Sequence, residues 1–222
     1  MLYGVKVTLT FDNGPTAGVT GRVLDVLGER GVLGTFFVIG DRLREPEARE
    51  LAERASGEGH WIGNHTLDHR VPLGDIDEPG EVARQVDEAQ ELLGELAHPD
   101  RLFRPYGDGG GIDRRLLGPA GIAHIEQGRY TCVLWNALPG DWRDQDGWVD
   151  RGIAQVTAQP WSVVVLHDIP NGALSRLGEF LHRLDDEVGA ELTQELPEAA
   201  VPIRRGRRTG SFRVLEESGN LR

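Results

Sequence analysis

The stretch VKVTLTFDNGP, at residues 5–15, predicts a buried β-strand that ends in a tight turn. Apolar and β-branched residues run over 5–11, a length and composition typical of a strand. Gly14-Pro15 then breaks the strand, and the polar pair Asp12-Asn13 stands between the strand and this breaker. The sequence therefore places a carboxylate and an amide at the carboxyl end of the first strand.

The same order of strand, loop and helix recurs along the chain. Further strands are predicted at 35–39, 61–62, 130–135 and 161–166, with a short one that begins at Leu102. Helices are predicted at 20–30, 46–55, 82–96, 148–156 and 173–188. This alternation indicates an α/β protein with parallel strands joined by crossover helices, and a closed barrel and an open doubly wound sheet both satisfy it.

Length, charge and cysteine content limit the class of protein. A chain of 222 residues is long enough for one sizeable core, so we expect a single domain. Its 24 basic and 36 acidic residues give a net charge of −12, which argues against a nucleic-acid partner. Cys132 is the single cysteine, so no disulfide forms within the chain. The sequence has neither a signal segment nor an apolar run of membrane-spanning length, so we expect a cytoplasmic protein without a membrane partner.

The last part of the chain has a different character. Apolar periodicity fades after Val188, so we assign residues 1–190 to a catalytic domain and 191–222 to a partly irregular C-terminal extension. The RRGRR run at 204–208 predicts a solvated, partly mobile tail, with anion binding as the alternative. The sequence does not indicate an oligomeric state.

Polar side chains follow several of the predicted strands. They are Asp12-Asn13, His65 and His69, Arg104, Asp141 and His167-Asp168. In a parallel α/β fold, the loops beyond the carboxyl ends of the strands meet at one pole, where active sites form. The His-x-x-x-His spacing of His65 and His69 would put both imidazoles on one helical face, within reach of a common metal.

Five segments resemble, in order, the motifs of a known family. They are TFDNGP at 10–15, HTLDH at 65–69, FRPYG at 103–107, DW at 141–142 and VVLHD at 164–168. These segments are similar to those of the polysaccharide deacetylases, the NodB homology domain of carbohydrate esterase family 4. The resemblance implies a single-domain α/β fold, a distorted TIM-like (β/α) barrel with fewer than eight regular repeats. It also implies metal-dependent removal of an N-acetyl group from an amino sugar.

The resemblance implies two proton-transfer roles. Asp12 would be the general base that takes a proton from water, and Arg104 would hold Asp12 in place. His167 would be the general acid that protonates the leaving nitrogen, because an imidazole titrates near neutral pH. Asp141 would stabilise the imidazolium form of His167.

The resemblance also implies a divalent metal, with Zn expected and Co, Mn or Ni as alternatives. His65 and His69 would be ligands, and together with Asp12 they would converge around one cation at the mouth of the barrel. The family usually carries a second carboxylate where this chain has Asn13, which brings an oxygen ligand without negative charge. We therefore expect weak metal binding.

The substrate pocket is predicted from the same motifs. The Tyr106 backbone N–H would bind the oxyanion, Trp142 would wall the acyl pocket, and Val165 would line the space for the acetyl methyl group. Trp135 and Trp148 are further aromatic residues that can stack on sugar rings or belong to the core. The expected substrate is a small N-acetylated amino sugar or short oligosaccharide.

Two other functions remain open at the level of sequence. One is hydrolysis of another C–N amide bond, allantoinase-like, with little or no metal. The other is a pseudoenzyme that binds a glycan without cleaving it. The presence of Asp12, Arg104, Asp141 and His167 together argues against mere binding, which needs neither a base nor an acid.

Overall fold

The apolar runs pair as strands of one sheet in a computed structural model that describes residues 4–221. The strands are β1 (Lys6–Asp12), β2 (Thr35–Val38), β3 (Trp61–Asn64), β4 (Leu102–Phe103), β5 (Thr131–Cys132), β6 (Trp161–His167), β7 (Glu191–Leu192), β8 (Ile203–Arg204) and β9 (Arg207–Arg208). Their order is β6-β1-β2-β3-β4-β5-β8-β9, and β7 also pairs with β1. The pairs from β6 across to β5 are parallel.

Helices connect the parallel strands, as the alternation predicts. They are α1 (Thr20–Glu29), α2 (Pro46–Gly57), α3 (Pro79–Ala83), α4 (Ala89–Leu93), α5 (Gly118–Gln127), α6 (Trp148–Thr157), α7 (Leu177–Arg183) and α8 (Arg213–Glu217). A π turn joins α3 to α4 at Arg84–Glu88, so the long helix predicted there is irregular in its middle.

The sheet curls into an open half-barrel, which confirms the predicted distorted barrel. Beyond β5 the chain returns to β6 through a single bridge between Ala137 and Val164. The backbone amide of Val165 also donates to the Ala137 carbonyl, at 3.0 Å. The two ends of the parallel set therefore approach each other through an irregular segment rather than through regular barrel strands.

Strand register brings polar residues from distant parts of the sequence together. In the parallel pair of β1 and β6, Asp12 lies opposite His167. In the pair of β3 and β4, Asn64 lies opposite Phe103, so the residues that follow them, His65 and Arg104, emerge side by side. The carboxyl ends of four strands thus meet at one end of the curled sheet.

Two faces of the sheet carry different cores because side chains alternate along a strand. The outer face packs against the helices in two buried clusters, centred on β1 with α1 and on β4 with α5. A smaller cluster of Phe37, Leu102 and Val133 fills the inner side of the curl, with Trp61 and Leu196 packed against it.

The C-terminal segment continues the sheet. β7 pairs with β1, and β8 pairs antiparallel with β5 through Ile203 and Cys132. The arginines of the 204–208 run are exposed, as expected of a solvated tail, but the segment 203–208 is a regular hairpin with ion pairs rather than an irregular tail. The Arg205 Nε atom lies 2.9 Å from an Asp100 carboxylate oxygen, and Arg208 pairs with Glu126. The domain boundary at residue 190 stays a prediction.

This arrangement predicts that Ile203→Ala destabilises the whole domain. Ile203 is completely buried between β5 and the second core cluster. Deleting a buried aliphatic side chain to alanine costs about 2–5 kcal/mol of unfolding free energy. Urea unfolding measures the change. Leu221→Ala is the control, because Leu221 is 42% exposed and its truncation should cost less than about 0.5 kcal/mol. Equal effects of the two substitutions would contradict an integral extension.

Candidate active site

A cavity of about 340 Å³ opens at the carboxyl ends of the parallel strands. Eight of the predicted site residues line it: Asp12, Asn13, His65, His69, Tyr106, Trp142, Val165 and His167. The two others, Arg104 and Asp141, are completely buried behind this wall. The structure therefore brings all ten predicted residues to one place.

Asp12 is fixed by a buried ion pair. One of its carboxylate oxygens accepts a hydrogen bond from Arg104 Nη1 at 2.8 Å. The same nitrogen donates to the Thr10 hydroxyl at 2.7 Å, and the guanidinium lies 4.1 Å from the centroid of the Phe37 ring. The second Asp12 oxygen points to His65 Nε2, at 3.7 Å. Arg104 thus neutralises Asp12 from the buried side and leaves the other carboxylate oxygen facing the cavity.

Charges around Asp12 keep it ionised. Burial alone would raise the pKa of this carboxyl, but the charge and hydrogen bond of Arg104, with the charge of a protonated His167, outweigh it and hold the pKa below its ordinary value of 3.8. Asp12 is therefore a carboxylate at neutral pH. A carboxylate with one free oxygen beside a cavity can accept a proton from a water molecule bound there.

His167 has the opposite electrostatic bias. Its Nδ1 atom lies 2.9 Å from Asp141 Oδ1, and its backbone N–H donates to Asp141 Oδ2 at 2.8 Å. Burial lowers the pKa of His167, but the hydrogen bond and charge of Asp141, with the charge of Asp12, raise it above the ordinary 6.5. The imidazole is therefore disposed to carry a proton near neutral pH. Its Nε2 atom is the one that can deliver a proton to the cavity.

His65 and His69 are neutral imidazoles. His65 Nδ1 lies 2.8 Å from the Arg104 carbonyl oxygen, so this nitrogen carries the hydrogen and Nε2 keeps its lone pair. Burial lowers the pKa of His65, and burial with the neighbouring His65 lowers the pKa of His69 to about 3. Neutral imidazoles with a free lone pair are the form that binds metals.

The expectation of a helical His pair is wrong in detail. Residues 65–69 form a non-helical loop after β3, in which Thr66 and His69 have φ values of 67° and 55°. The two rings nevertheless face each other, with centroids 4.7 Å apart. The helical spacing indicated this pair of histidines, but the conformation of the loop brings their rings together.

Asn13 completes the set of donors that could hold a cation. Across residues 4–221, no three His, Cys, Asp or Glu side chains form a group that can hold a metal ion, so Asp12 does not join the two imidazoles as a third ligand. The Asn13 Oδ1 atom, however, is buried without a hydrogen-bond partner in the described chain, in a residue that lines the same cavity. A buried carbonyl oxygen that lacks a donor suits a cation. Two imidazoles and this amide oxygen fit a weakly held divalent metal.

The remaining wall of the cavity is aromatic and apolar. The Tyr106 ring lies 3.9 Å from the His69 ring, and the Trp142 ring meets the His167 ring edge-on at 4.8 Å, centroid to centroid. Val165 is buried in the floor of the cavity, and Trp135 contributes to its lining. Trp148 is completely buried against Phe180 instead, so it belongs to the core and cannot stack on a sugar.

One buried residue at this end of the sheet has no role in the sequence prediction. Asp168 directly follows His167, is completely buried, and contacts the turn that carries Asn13. The sequence signal was the last letter of the VVLHD motif.

None of the described helices is long and apolar enough to cross a membrane.

Comparisons with known proteins agree with this fold. The family model described as polysaccharide deacetylase matches residues 4–118. A chitooligosaccharide deacetylase of Sinorhizobium fredii is 36% identical over 73% of this chain and 72% of its own length. A peptidoglycan-N-acetylglucosamine deacetylase of Bacillus cereus is 30% identical over 81% of this chain and 62% of its own length.

Solved structures give the same result. A peptidoglycan N-acetylglucosamine deacetylase superposes with a TM-score of 0.68 and 28% identity, over 86% of each chain. A carbohydrate esterase family 4 pseudoenzyme of Bacillus anthracis reaches a TM-score of 0.71 with 17% identity, over 87% of this chain and 65% of its own, and shows the fold alone. The chain belongs to the polysaccharide deacetylase family, the NodB homology domain of carbohydrate esterase family 4, and is a hydrolase that acts on C–N bonds other than peptide bonds.

Proposed function

We propose that this protein is a metal-dependent hydrolase that removes the N-acetyl group from an amino sugar of a short oligosaccharide. The observation that carries the proposal is the pairing of an ionised Asp12 with a proton-carrying His167 across one cavity. Each is fixed from behind by a buried partner, Arg104 for the carboxylate and Asp141 for the imidazole. A protein that only binds a glycan has no need of a carboxyl group with a lowered pKa facing an imidazole with a raised pKa.

The hydrolysis divides between these two residues. The free oxygen of Asp12 accepts a proton from a water molecule, whose oxygen then bonds to the acetyl carbonyl carbon. The C–N bond breaks as His167 transfers its Nε2 proton to the leaving nitrogen, because an amide nitrogen leaves only as a neutral amine. The products are acetate and a free amino sugar, and the proton on Asp12 returns to His167 or to solvent.

Three residues would hold the metal: His65, His69 and Asn13. When bound, a divalent cation polarises the acetyl carbonyl and lowers the pKa of water. The hydrogen bond from His65 Nδ1–H to the Arg104 carbonyl orients its ring for this purpose. The donor set carries no formal charge, which supports weak binding and leaves the full cation charge for the substrate.

Separate groups would bind the oxyanion and the acetyl methyl group. Among the described residues, no acceptor takes a hydrogen bond from the Tyr106 backbone N–H, so this donor is free for a developing oxyanion. Trp142 and Val165 form an apolar wall beside His167, which suits a methyl group. The relatives named for chitooligosaccharide and peptidoglycan substrates support an N-acetylglucosamine unit as the sugar.

A panel of amides separates the competing functions. Purified protein supplied with zinc is incubated with N-acetylglucosamine oligomers, a peptidoglycan fragment, allantoin and simple acylamides, and acetate or ammonia is measured. We expect acetate from the N-acetylglucosamine oligomers and no turnover of allantoin. Turnover of allantoin alone would support the other amide hydrolase. Saturable oligosaccharide binding without any acetate would support a pseudoenzyme.

The neutral ligand position gives a prediction about metal affinity. Asn13→Asp places a negative charge beside the cation, so zinc affinity should rise about tenfold or more, equivalent to about 1.4 kcal/mol. Competition with a chromophoric zinc chelator measures this change. Gln127→Glu, which adds the same charge at an exposed position at the end of α5, is the control and should leave zinc affinity unchanged. An unaltered affinity in Asn13→Asp would remove residue 13 from the ligand set.

A further inference from the structure

A buried carboxyl group behind the active site takes no part in the proposed reaction. Asp168 is completely buried, and its Oδ1 atom has no hydrogen-bond partner within residues 4–221. Its Oδ2 atom accepts a hydrogen bond from a hydroxyl group, and its backbone N–H donates to a carbonyl oxygen. Neither contact is with a cationic side chain. Burial raises the pKa of Asp168 to about 7. Burying a carboxyl group costs stability unless its contacts offset the cost.

One of these contacts is with the turn at Gly14. A Cβ atom added at Gly14 would collide with both side-chain oxygens of Asp168. Gly14 does not have a left-handed φ, so space and not backbone conformation requires glycine here. The carboxyl group therefore rests directly against the turn that carries Asp12 and Asn13.

Two further contacts tie Asp168 to both ends of this turn. Its backbone N–H donates to the Asp12 carbonyl oxygen at 3.2 Å. Its Oδ2 atom accepts a hydrogen bond from the Thr20 hydroxyl at the start of α1, and this hydroxyl accepts the Thr16 backbone N–H at 2.7 Å. Asp168 thus reaches the beginning, the middle and, through Thr20, the end of the turn at 12–16.

The turn at 12–16 has a backbone conformation that is costly at Asn13. Asn13 has a φ of 78°, a left-handed value that a non-glycine residue adopts at a cost, and its side-chain oxygen is held buried without a partner. We propose that Asp168 is a positioning residue, whose carboxyl group holds the 12–16 turn so that Asn13 Oδ1 and the Asp12 carboxylate face the His65–His69 pair. This proposal rests on the proposed function, since it concerns the same metal site.

Zinc affinity of the metal-stripped protein tests this role without reference to turnover. Asp168→Ala removes the support and should weaken zinc binding by about 10- to 100-fold, as removal of a residue that orients a ligand does. Asp168→Asn keeps the shape and the acceptor for Thr20, so its zinc affinity should stay within about threefold of wild type. Competition with a chromophoric chelator gives the affinities, and circular dichroism verifies that each variant is folded.

A double substitution tests the contact with Gly14 directly. Gly14→Ala alone should weaken zinc binding, because its Cβ atom collides with the Asp168 carboxyl group. In Gly14→Ala/Asp168→Ala the collision is gone and the new methyl group occupies part of the vacated space. The double variant should therefore bind zinc at least about tenfold more tightly than Gly14→Ala, a non-additive result expected only for residues in contact. A double variant no better than the weaker single variant would overturn the proposal.

Other outcomes are equally decisive. A folded Asp168→Ala variant with wild-type zinc affinity overturns the positioning role, and so does an equal loss in Asp168→Ala and Asp168→Asn. If Asp168→Ala does not fold, Thr20→Val removes the hydroxyl bridge and should weaken zinc binding in the same direction, while unchanged affinity overturns the role. Wild-type protein that neither binds zinc nor releases acetate contradicts the proposed function itself, which separates the two failures.

Discussion

Asp12→Asn is expected to lower kcat for acetate release by at least about 10²-fold, because general bases of this kind contribute about 10²–10⁴-fold. The amide keeps an oxygen for Arg104 Nη1 but cannot accept a proton from water. Substrate affinity should change less than kcat, since Asp12 acts on the attacking water. Steady-state kinetics on an N-acetylglucosamine oligomer, with zinc present, measures the two parameters separately.

Stability must be measured beside this loss of activity. Asp12→Asn leaves the buried Arg104 charge without its counter-ion, and breaking such a pair costs about 3–5 kcal/mol. The kinetic comparison is therefore made at a temperature where thermal unfolding shows both proteins to be folded. Asp25→Asn, which removes an exposed carboxylate paired with Arg54, is the control and should leave kcat unchanged. A folded Asp12→Asn variant with full kcat would disprove the assignment of the base.

His167→Ala should reduce kcat by a similar factor, at least about 10²-fold, because the leaving nitrogen then departs without a positioned acid. The exposed His182, paired with Asp186, gives the matched control His182→Ala, for which we expect wild-type kcat. A His167→Ala variant with undiminished kcat, or equal losses in the two alanine variants, would contradict the assignment of the acid.

The pH profile follows from the same pair. The active form has Asp12 ionised and His167 protonated, so it exists above the lowered pKa of Asp12 and below the raised pKa of His167. Activity should therefore fall as the pH rises through the pKa of His167, which lies above 6.5. Asp141→Asn removes the charge that raises this pKa, so the alkaline limb should move to lower pH. A limb that does not move would show that Asp141 does not control the acid.

Parallel strand topology explains why so much of the site was predictable. Once β1 and β6 are recognised as parallel neighbours, their carboxyl ends put Asp12 beside His167 without any knowledge of loop structure. The same logic joins His65 to Arg104 at the ends of β3 and β4. The family motifs then supplied roles that strand periodicity alone does not give.

Loop conformation could not be predicted in the same way. The His65–His69 loop is set by tertiary hydrogen bonds, in which Asn64 Oδ1 accepts the Thr66 amide and Gln85 Oε1 accepts the Leu67 amide. Local propensity does not reveal partners so distant in sequence. The same reason explains why the helical spacing pointed to two histidines whose rings do lie together, although their backbone is not helical.

The strands of the C-terminal extension were not predicted because they are too short to show a pattern. β7, β8 and β9 contain two residues each, and alternation over two residues is not a signal. Charge composition indicated exposed arginines, which the structure has, but it could not reveal their ion pairs with Asp100 and Glu126. Asp168 was named but given no role for a related reason, because its contacts are with another loop, at Gly14.

Zinc titration of metal-stripped protein, with acetate release from an N-acetylglucosamine oligomer as the signal, tests whether His65 and His69 hold a metal that deacetylation requires. We expect no acetate in the presence of chelator, saturable recovery as zinc is added, and no recovery in the His65→Ala/His69→Ala variant. Acetate release at the full rate in excess chelator, or equal recovery in the variant without the two imidazoles, would contradict it.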